Sequence, residues 1–273
     1  MYAWIRSAII LIATGFVGLV GAWQAETLVS ARGAIGPTIL QSIHPVSSLI
    51  AVVVTIGVGS IVGAGVARIS STTTGMFVFG FSLLAMAMKL EGVTEFVFSG
   101  GNFHILIFES ALLCVLVLLG TLVVFGIGGP TQCMPCDNTE RGLAKFGKTL
   151  LISMAMLPVI WFIATTPAKG QVLGASALGG LLVGFLFRHF LHSSQPILLF
   201  ALPIAIGGLG YLIGITVGQS DIAALNQQSI SRLLLPMPLE YAAGTIIGIA
   251  IVPGWTSSVA ENTGAVTRKK MLQ

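Results

Sequence analysis

Of 273 residues, 55% are hydrophobic and only 8% are charged, with a mean hydropathy of +0.98. Soluble domains carry about 25% charged residues, and a soluble chain of this composition would expose large apolar patches and aggregate. The net charge of +4 comes without a basic run interleaved with aromatics, so nucleic acid is not an expected partner.

The solvent this surface calls for is lipid. The length holds about eight helices of ~20 residues, each long enough for a hydrocarbon core of about 30 Å. The expected fold is all-α: a polytopic integral membrane bundle of about eight transmembrane helices with short loops. Any chemistry then sits in the helices or in short connections.

The first apolar run, roughly Ile5–Trp23, has Arg6 at its start, as in a signal sequence, but ends Gly21-Ala22-Trp23-Gln24. That is a poor cleavage site, so the run is read as a retained span anchored by Trp4 and Trp23. Residues 25–45 form the first connection, predicted as a short surface helix broken by Gly36-Pro37 and His44-Pro45. The second span covers Val46–Ala67. Its Gly57, Gly59, Gly63 and Gly65 form two overlapping Gly-xxx-Gly pairs, read as helix packing rather than pore lining. A third span starts at Gly75 and ends near Leu90 or continues to Phe98. The fourth is His104–Ile127, with Glu109 about one turn inside.

A polar break over residues 129–148 divides the chain near its midpoint. The fifth span, Thr149–Thr166, is expected to kink at Pro158. The sixth is Val172–Phe190 and the seventh Pro196–Val217, with Pro203 inside it. Residues 221–235 read as an amphipathic helix lying in the interface. The last span, Leu239–Pro253, is short for a bilayer.

With eight spans and a cytoplasmic N-terminus, Arg6, Arg68, Arg141, Lys145, Lys148, Arg188, Arg268, Lys269 and Lys270 lie inside. Arg32, Lys89, Lys169 and Arg232 lie outside. This direction agrees with the positive-inside rule and puts both termini and loop 129–148 in the cytoplasm, most simply of a bacterial inner membrane. The whole chain is one membrane domain, with possible four-helix halves at 1–128 and 149–253.

Four clusters are candidate sites. At the outer side, Glu91 and Glu95 share a helix face, His104 and Glu109 follow across a turn, and Glu240 opens the last span. Clustered carboxylates suit cation capture or proton relay, whereas interfacial carboxylates solvated by water need no function. Glu109 lies deepest. In the central loop, Cys133-Met-Pro-Cys136 has the spacing of a redox dithiol or half of a zinc site, and also of plain thiols in a turn. Arg188-His189-Phe-Leu-His192 reads as a basic headgroup anchor rather than a haem or metal site.

The fourth cluster, Gly174-Ala-Ser176-Ala-Leu-Gly179-Gly180, resembles the serine motif of rhomboid intramembrane proteases over about a dozen residues. That resemblance implies a serine nucleophile and a histidine base. The chain has Ala177 at the motif's second glycine and no histidine in either following span, so the serine has no activator and the run is read as close packing.

The leading function is a small-solute or ion transporter with a site between helices involving Glu109, Glu95, Glu91 and His104. The alternative is a non-catalytic subunit of a larger membrane complex, and a third class is a thiol-redox or metal protein built on Cys133 and Cys136. Catalysis is not expected, and the residues identify no cofactor. The expected partners are the lipid bilayer and other membrane helices, in a homo-oligomer or a hetero-complex.

Overall fold

The computed structural model describes residues 3–129, 142–191, 196–218 and 221–252. The protein is an all-α, polytopic membrane bundle. Among the described residues, seven helical stretches are long and apolar enough to cross a membrane, one of them Ala144–Ile163, and an eighth, Pro238–Val252, is shorter. In chain order these are α1 (Ala3–Ala25), α2 (Pro45–Ile69), α3 (Thr72–Lys89), the short α4 (Val93–Phe98), α5 (Phe103–Gly128), α6 (Gly142–Met154), α7 (Met156–Ile163), α8 (Lys169–Phe190), α9 (Ile197–Val217), the short α10 (Ile222–Asn226) and α11 (Pro238–Val252).

Local chemistry sets the helix starts. Pro45 opens α2, where its missing N–H costs nothing. Ser71 and Asn102 cap α3 and α5, their side-chain oxygens accepting the N–H of Thr74 and His104. The predicted third span stops at Lys89, and Val93–Phe98 is a separate helix of six residues.

The ends of the helices alternate between two faces. On one face, Arg6 donates to Ser70 Oγ at 2.6 Å, and Thr72 donates to the Gly129 carbonyl at 2.9 Å. On the other, Lys169 Nζ donates to the Ala87 carbonyl at 2.9 Å, and Lys89 lies 3.8 Å from Glu26. Trp4, Leu11, Ile12, Phe16, Leu19 and Trp23 of α1 remain exposed, as suits a peripheral helix facing lipid.

Small residues bring the helices together. A Cβ on Gly59 or Gly63 would lie 2.3 Å from Ser82 Oγ or 2.6 Å from the Gly75 carbonyl of α3, whereas Gly57 and Gly65 face open space. One edge of the glycine pattern is therefore a packing surface. The rhomboid-like run packs likewise. Gly180 meets Thr245 of α11, and Ser176, buried, donates to the Val172 carbonyl of its own helix.

The fifth span, Ala144–Ile163, is bent by a turn at Ala155 between α6 and α7. Pro158 has no N–H for the Met154 carbonyl and its ring crowds that group, so the helix interrupts one turn earlier. Pro203, by contrast, sits inside a continuous α9. Residues 221–235 do not form an interfacial helix. They fold as the five-residue α10 and a 3-10 turn at Arg232–Leu234, with Leu233, Leu234 and Leu235 buried.

The first connection is not a surface helix either. It contains no helical turn, and Leu28, Ser30, Thr38, Ile39 and Ser42 are buried. An antiparallel bridge between Val29 and Ile35 closes a tight turn at Gly33, whose φ of +81° favours glycine. The segment packs against α4 and the first two turns of α5 before α2 begins.

The last helix, α11, is the most enclosed. Every residue from 238 to 252 is buried except half-buried Ile251. Helices α3, α8 and α9 surround it through contacts at Gly80, Gly244, Gly248 and Gly207. Protein replaces lipid around it.

Candidate functional site

The site forms where the re-entrant segment 26–44 meets α4 and the start of α5. Buried irregular backbone must find partners for its N–H and C=O groups. Two carboxylates supply part of them.

Glu109, on the second turn of α5, is fully buried. Its Oε1 accepts the Ile39 N–H at 3.0 Å and its Oε2 accepts the Leu40 N–H at 3.2 Å. Among the described residues it forms no ion pair with a basic side chain. Its two oxygens are held by these backbone N–H groups.

Glu95, on α4, grips the other arm of the segment. Its Oε1 accepts from Ser30 Oγ at 2.7 Å and from Ser99 Oγ at 2.9 Å, and its Oε2 pairs with Arg32 at 3.1 Å. The Arg32 guanidinium also lies over the Phe98 ring, 5.6 Å from its centroid. Burial works against the ionised form of Glu95. The Ser30 and Ser99 hydroxyls and the Arg32 charge outweigh it and hold the carboxyl below its ordinary value.

Between these anchors lies a cavity of about 50 Å³, lined by Ser30, Gly36, Pro37, Thr38, Gln41, Ser42, Phe96, Ser99 and Gly101. Gln41 fixes one rim by exchanging two hydrogen bonds with the Asn102 backbone, at 2.6 and 3.0 Å. Phe96 packs edge-on to Phe103 at 4.8 Å and gives the wall its apolar backing. A water needs roughly 10–15 Å³ of such space, so the volume suits an ion with a few waters or a solute of similar size.

A second set of buried polar groups ties the stretch before α11. Lys169, at the start of α8, forms an ion pair with Glu240 and also donates to the Ala87 and Glu91 carbonyls. Glu240 Oε2 accepts the Met237 N–H at 2.7 Å. Tyr211 donates to the Pro236 carbonyl at 2.6 Å and Tyr241 to the Leu233 carbonyl at 3.1 Å, their rings perpendicular at 5.7 Å.

Of the residues singled out in the sequence, Glu95 and Glu109 are thus brought to one segment from two helices. Glu91 and His104 stand apart and exposed. Glu91 contributes its backbone, donating to the Ile35 carbonyl and accepting from Lys169. Cys133, Cys136 and His192 lie outside the described residues. His189 stacks edge-on with Phe190 at 4.8 Å. Among the described residues no group of three or more His, Cys, Asp or Glu side chains could hold a metal ion.

Ser30, Lys169 and Tyr211 carried no signal in the sequence. Their roles depend on which buried backbone or carboxylate they meet. Lys169 and Glu240 are 71 positions apart. The one available hint was composition: two charges bordering apolar spans on the same predicted side.

Comparison with known proteins finds no matching family model, no matching curated protein and no matching solved structure.

Proposed function

We propose that this membrane protein is a transporter of a small solute or ion, with its outer site in the cavity beneath the re-entrant segment. The observation that carries this reading is the pinning of segment 26–44 by Glu95 and Glu109 around a small polar cavity. A protein that only supports partners has no need to draw irregular backbone and an unpaired carboxylate into its interior, where both are costly. Transporters place their sites where helices are interrupted, and the turn at Ala155 between α6 and α7 is an interruption of that kind.

In this reading the whole chain acts as one membrane domain, since α5 lies along α9 and α3 along α11. The distribution of Lys and Arg supports a bacterial cytoplasmic membrane with both termini and loop 129–148 inside. The exposed apolar helix faces meet lipid, or other membrane helices in an assembly.

The test is reconstitution of the full chain into liposomes. Entry of sodium, ammonium, chloride and small uncharged solutes is followed against protein-free vesicles. Saturable entry of at least one is expected. Rates equal to empty vesicles for all of them would overturn the reading in favour of a non-catalytic subunit of a larger complex.

A further inference from the structure

We propose that segment 26–44 is a gate, latched shut by Glu95 and Glu109, that lifts to admit the transported solute to the interface of α5 and α9. The inference rests on the transport reading and names the moving part of its site.

The segment is built to move as one piece. Its own backbone holds it together. Gly36 N–H donates to the Leu28 carbonyl at 2.6 Å, Ser30 N–H to the Ala34 carbonyl at 2.8 Å and Ile43 N–H to the Val29 carbonyl at 2.8 Å. Its ends, at Glu26 and Thr27 and at Ile43 and His44, are exposed, so a change of backbone angles there meets little resistance.

Its ties to the bundle are of another kind. Among the described residues no helix or sheet ladder joins it to a neighbour. Glu95 holds Ser30 and Arg32, Glu109 holds the N–H groups of Ile39 and Leu40, and Gln41 holds the Asn102 backbone. The Arg32 and Gln41 bonds are exposed, and water competes for them directly. Ser48 of α2 donates to Ser42 Oγ at 2.7 Å, and Glu91 N–H to the Ile35 carbonyl at 3.0 Å. The helices are locked more firmly. A Cβ on Gly63 would lie 2.6 Å from the Gly75 carbonyl, and one on Gly180 2.5 Å from the Thr245 carbonyl. Thus α2 and α3, and α8 and α11, meet backbone to backbone, and the segment yields before they do.

What lies behind the segment gives it something to cover. Glu109 is fully buried. Ser110, next along α5, faces Gly208 of α9, and its buried Oγ has no hydrogen-bond partner among the described residues. A buried hydroxyl left open marks a place where a polar group is received. Lifting Ile39 and Leu40 off Glu109 uncovers this part of α5.

The test is a reversible lock. The Ser30 and Ser99 hydroxyls meet on one Glu95 oxygen, at 2.7 and 2.9 Å, so cysteines at the two positions are within reach of a disulfide or a short bis-methanethiosulfonate bridge. In the full chain with Cys114, Cys133 and Cys136 replaced by serine, Ser30→Cys with Ser99→Cys is reconstituted into liposomes. Entry of the solutes named above is measured before bridging, after it and after reduction. Bridging should lower entry about tenfold or more, and reduction should restore it. Gln41→Cys with Asn102→Cys is the second pair should the first fail to fold, as judged by gel filtration. Complete bridging, verified by loss of free thiols, with unchanged entry would overturn the proposal.

Thr38, only 3% exposed, reports opening without any flux. Thr38→Cys in the same background should react with a water-soluble thiol reagent, and about tenfold faster when Glu95→Gln removes part of the latch. No reaction short of unfolding, or no acceleration, would overturn the proposal. Accelerated labelling without entry of any solute would leave the gate standing and remove transport. Entry that the bridge leaves unchanged would do the reverse.

Discussion

The backbone N–H of Ile39 donates to Glu109 Oε1 at 3.0 Å, joining a re-entrant segment to a helix 70 positions later in the chain. With the neighbouring bond to Leu40, it makes a buried carboxylate the anchor of a stretch that has no secondary structure of its own. Replacing Glu109 by Ala would leave two buried N–H groups without partners, each costing about 1–3 kcal/mol. Glu109→Gln keeps one acceptor and sets an amide N–H against a donor. The expected order of thermal stability in detergent is wild type, then Gln, then Ala. Protease cleavage within 26–44 should rise in the reverse order.

Glu95 gives the segment a pH dependence. Its folded carboxyl is held below the ordinary carboxylate value of about 4.3, so its contribution is complete above that value and is lost as pH falls through the lower folded value. Protection of 26–44 from proteolysis is expected to be constant from neutral pH to about pH 5 and to fall in more acid solution. Glu95→Gln should show weaker protection at neutral pH and no further loss in that acid window.

The Lys169–Glu240 pair is buried on the carboxylate side, with Glu240 only 2% exposed and Lys169 24% exposed. Removing one partner of such a pair is far worse than removing both. Lys169→Met should destabilise by about 3–5 kcal/mol, and the double variant Lys169→Met with Glu240→Gln should recover a large part of that loss. Denaturant titration of all four proteins gives the coupling directly. Equal losses in the single and double variants would show that the pair adds nothing.

Packing around α11 predicts a contrast between glycines. A Cβ on Gly248 would fall 2.0 Å from the Ala177 carbonyl, a backbone atom that can move only with α8. Gly248→Ala should cost about 1–3 kcal/mol or more through overpacking. Gly57 has nothing within 4 Å of such a Cβ, so Gly57→Ala should be neutral or slightly stabilising in the same melting experiment.

The spans were legible because hydropathy and helix length are properties of consecutive residues. Pro45, Ser71 and Asn102 mark starts that the structure uses. The connections were less legible. Gly36-Pro37 and His44-Pro45 announced an interruption, but burial of Ser30, Thr38 and Ile39 depends on Glu95 and Glu109, which lie far along the chain. The Ile222, Leu225 and Leu233 spacing suggested an amphipathic helix. Tyr211 and Tyr241 instead hold the Pro236 and Leu233 carbonyls in a non-helical path. The sequence placed Glu109 inside a span, and the structure buries it. No pattern in the sequence told that backbone N–H groups, rather than a neighbouring base, would satisfy it.

The most direct measurement of the central claim is uptake of sodium, ammonium, chloride and small uncharged solutes by liposomes carrying the full chain. The account predicts saturable uptake of at least one of them, well above that of protein-free vesicles. Uptake equal to that of empty vesicles, with the protein folded and inserted, would contradict it.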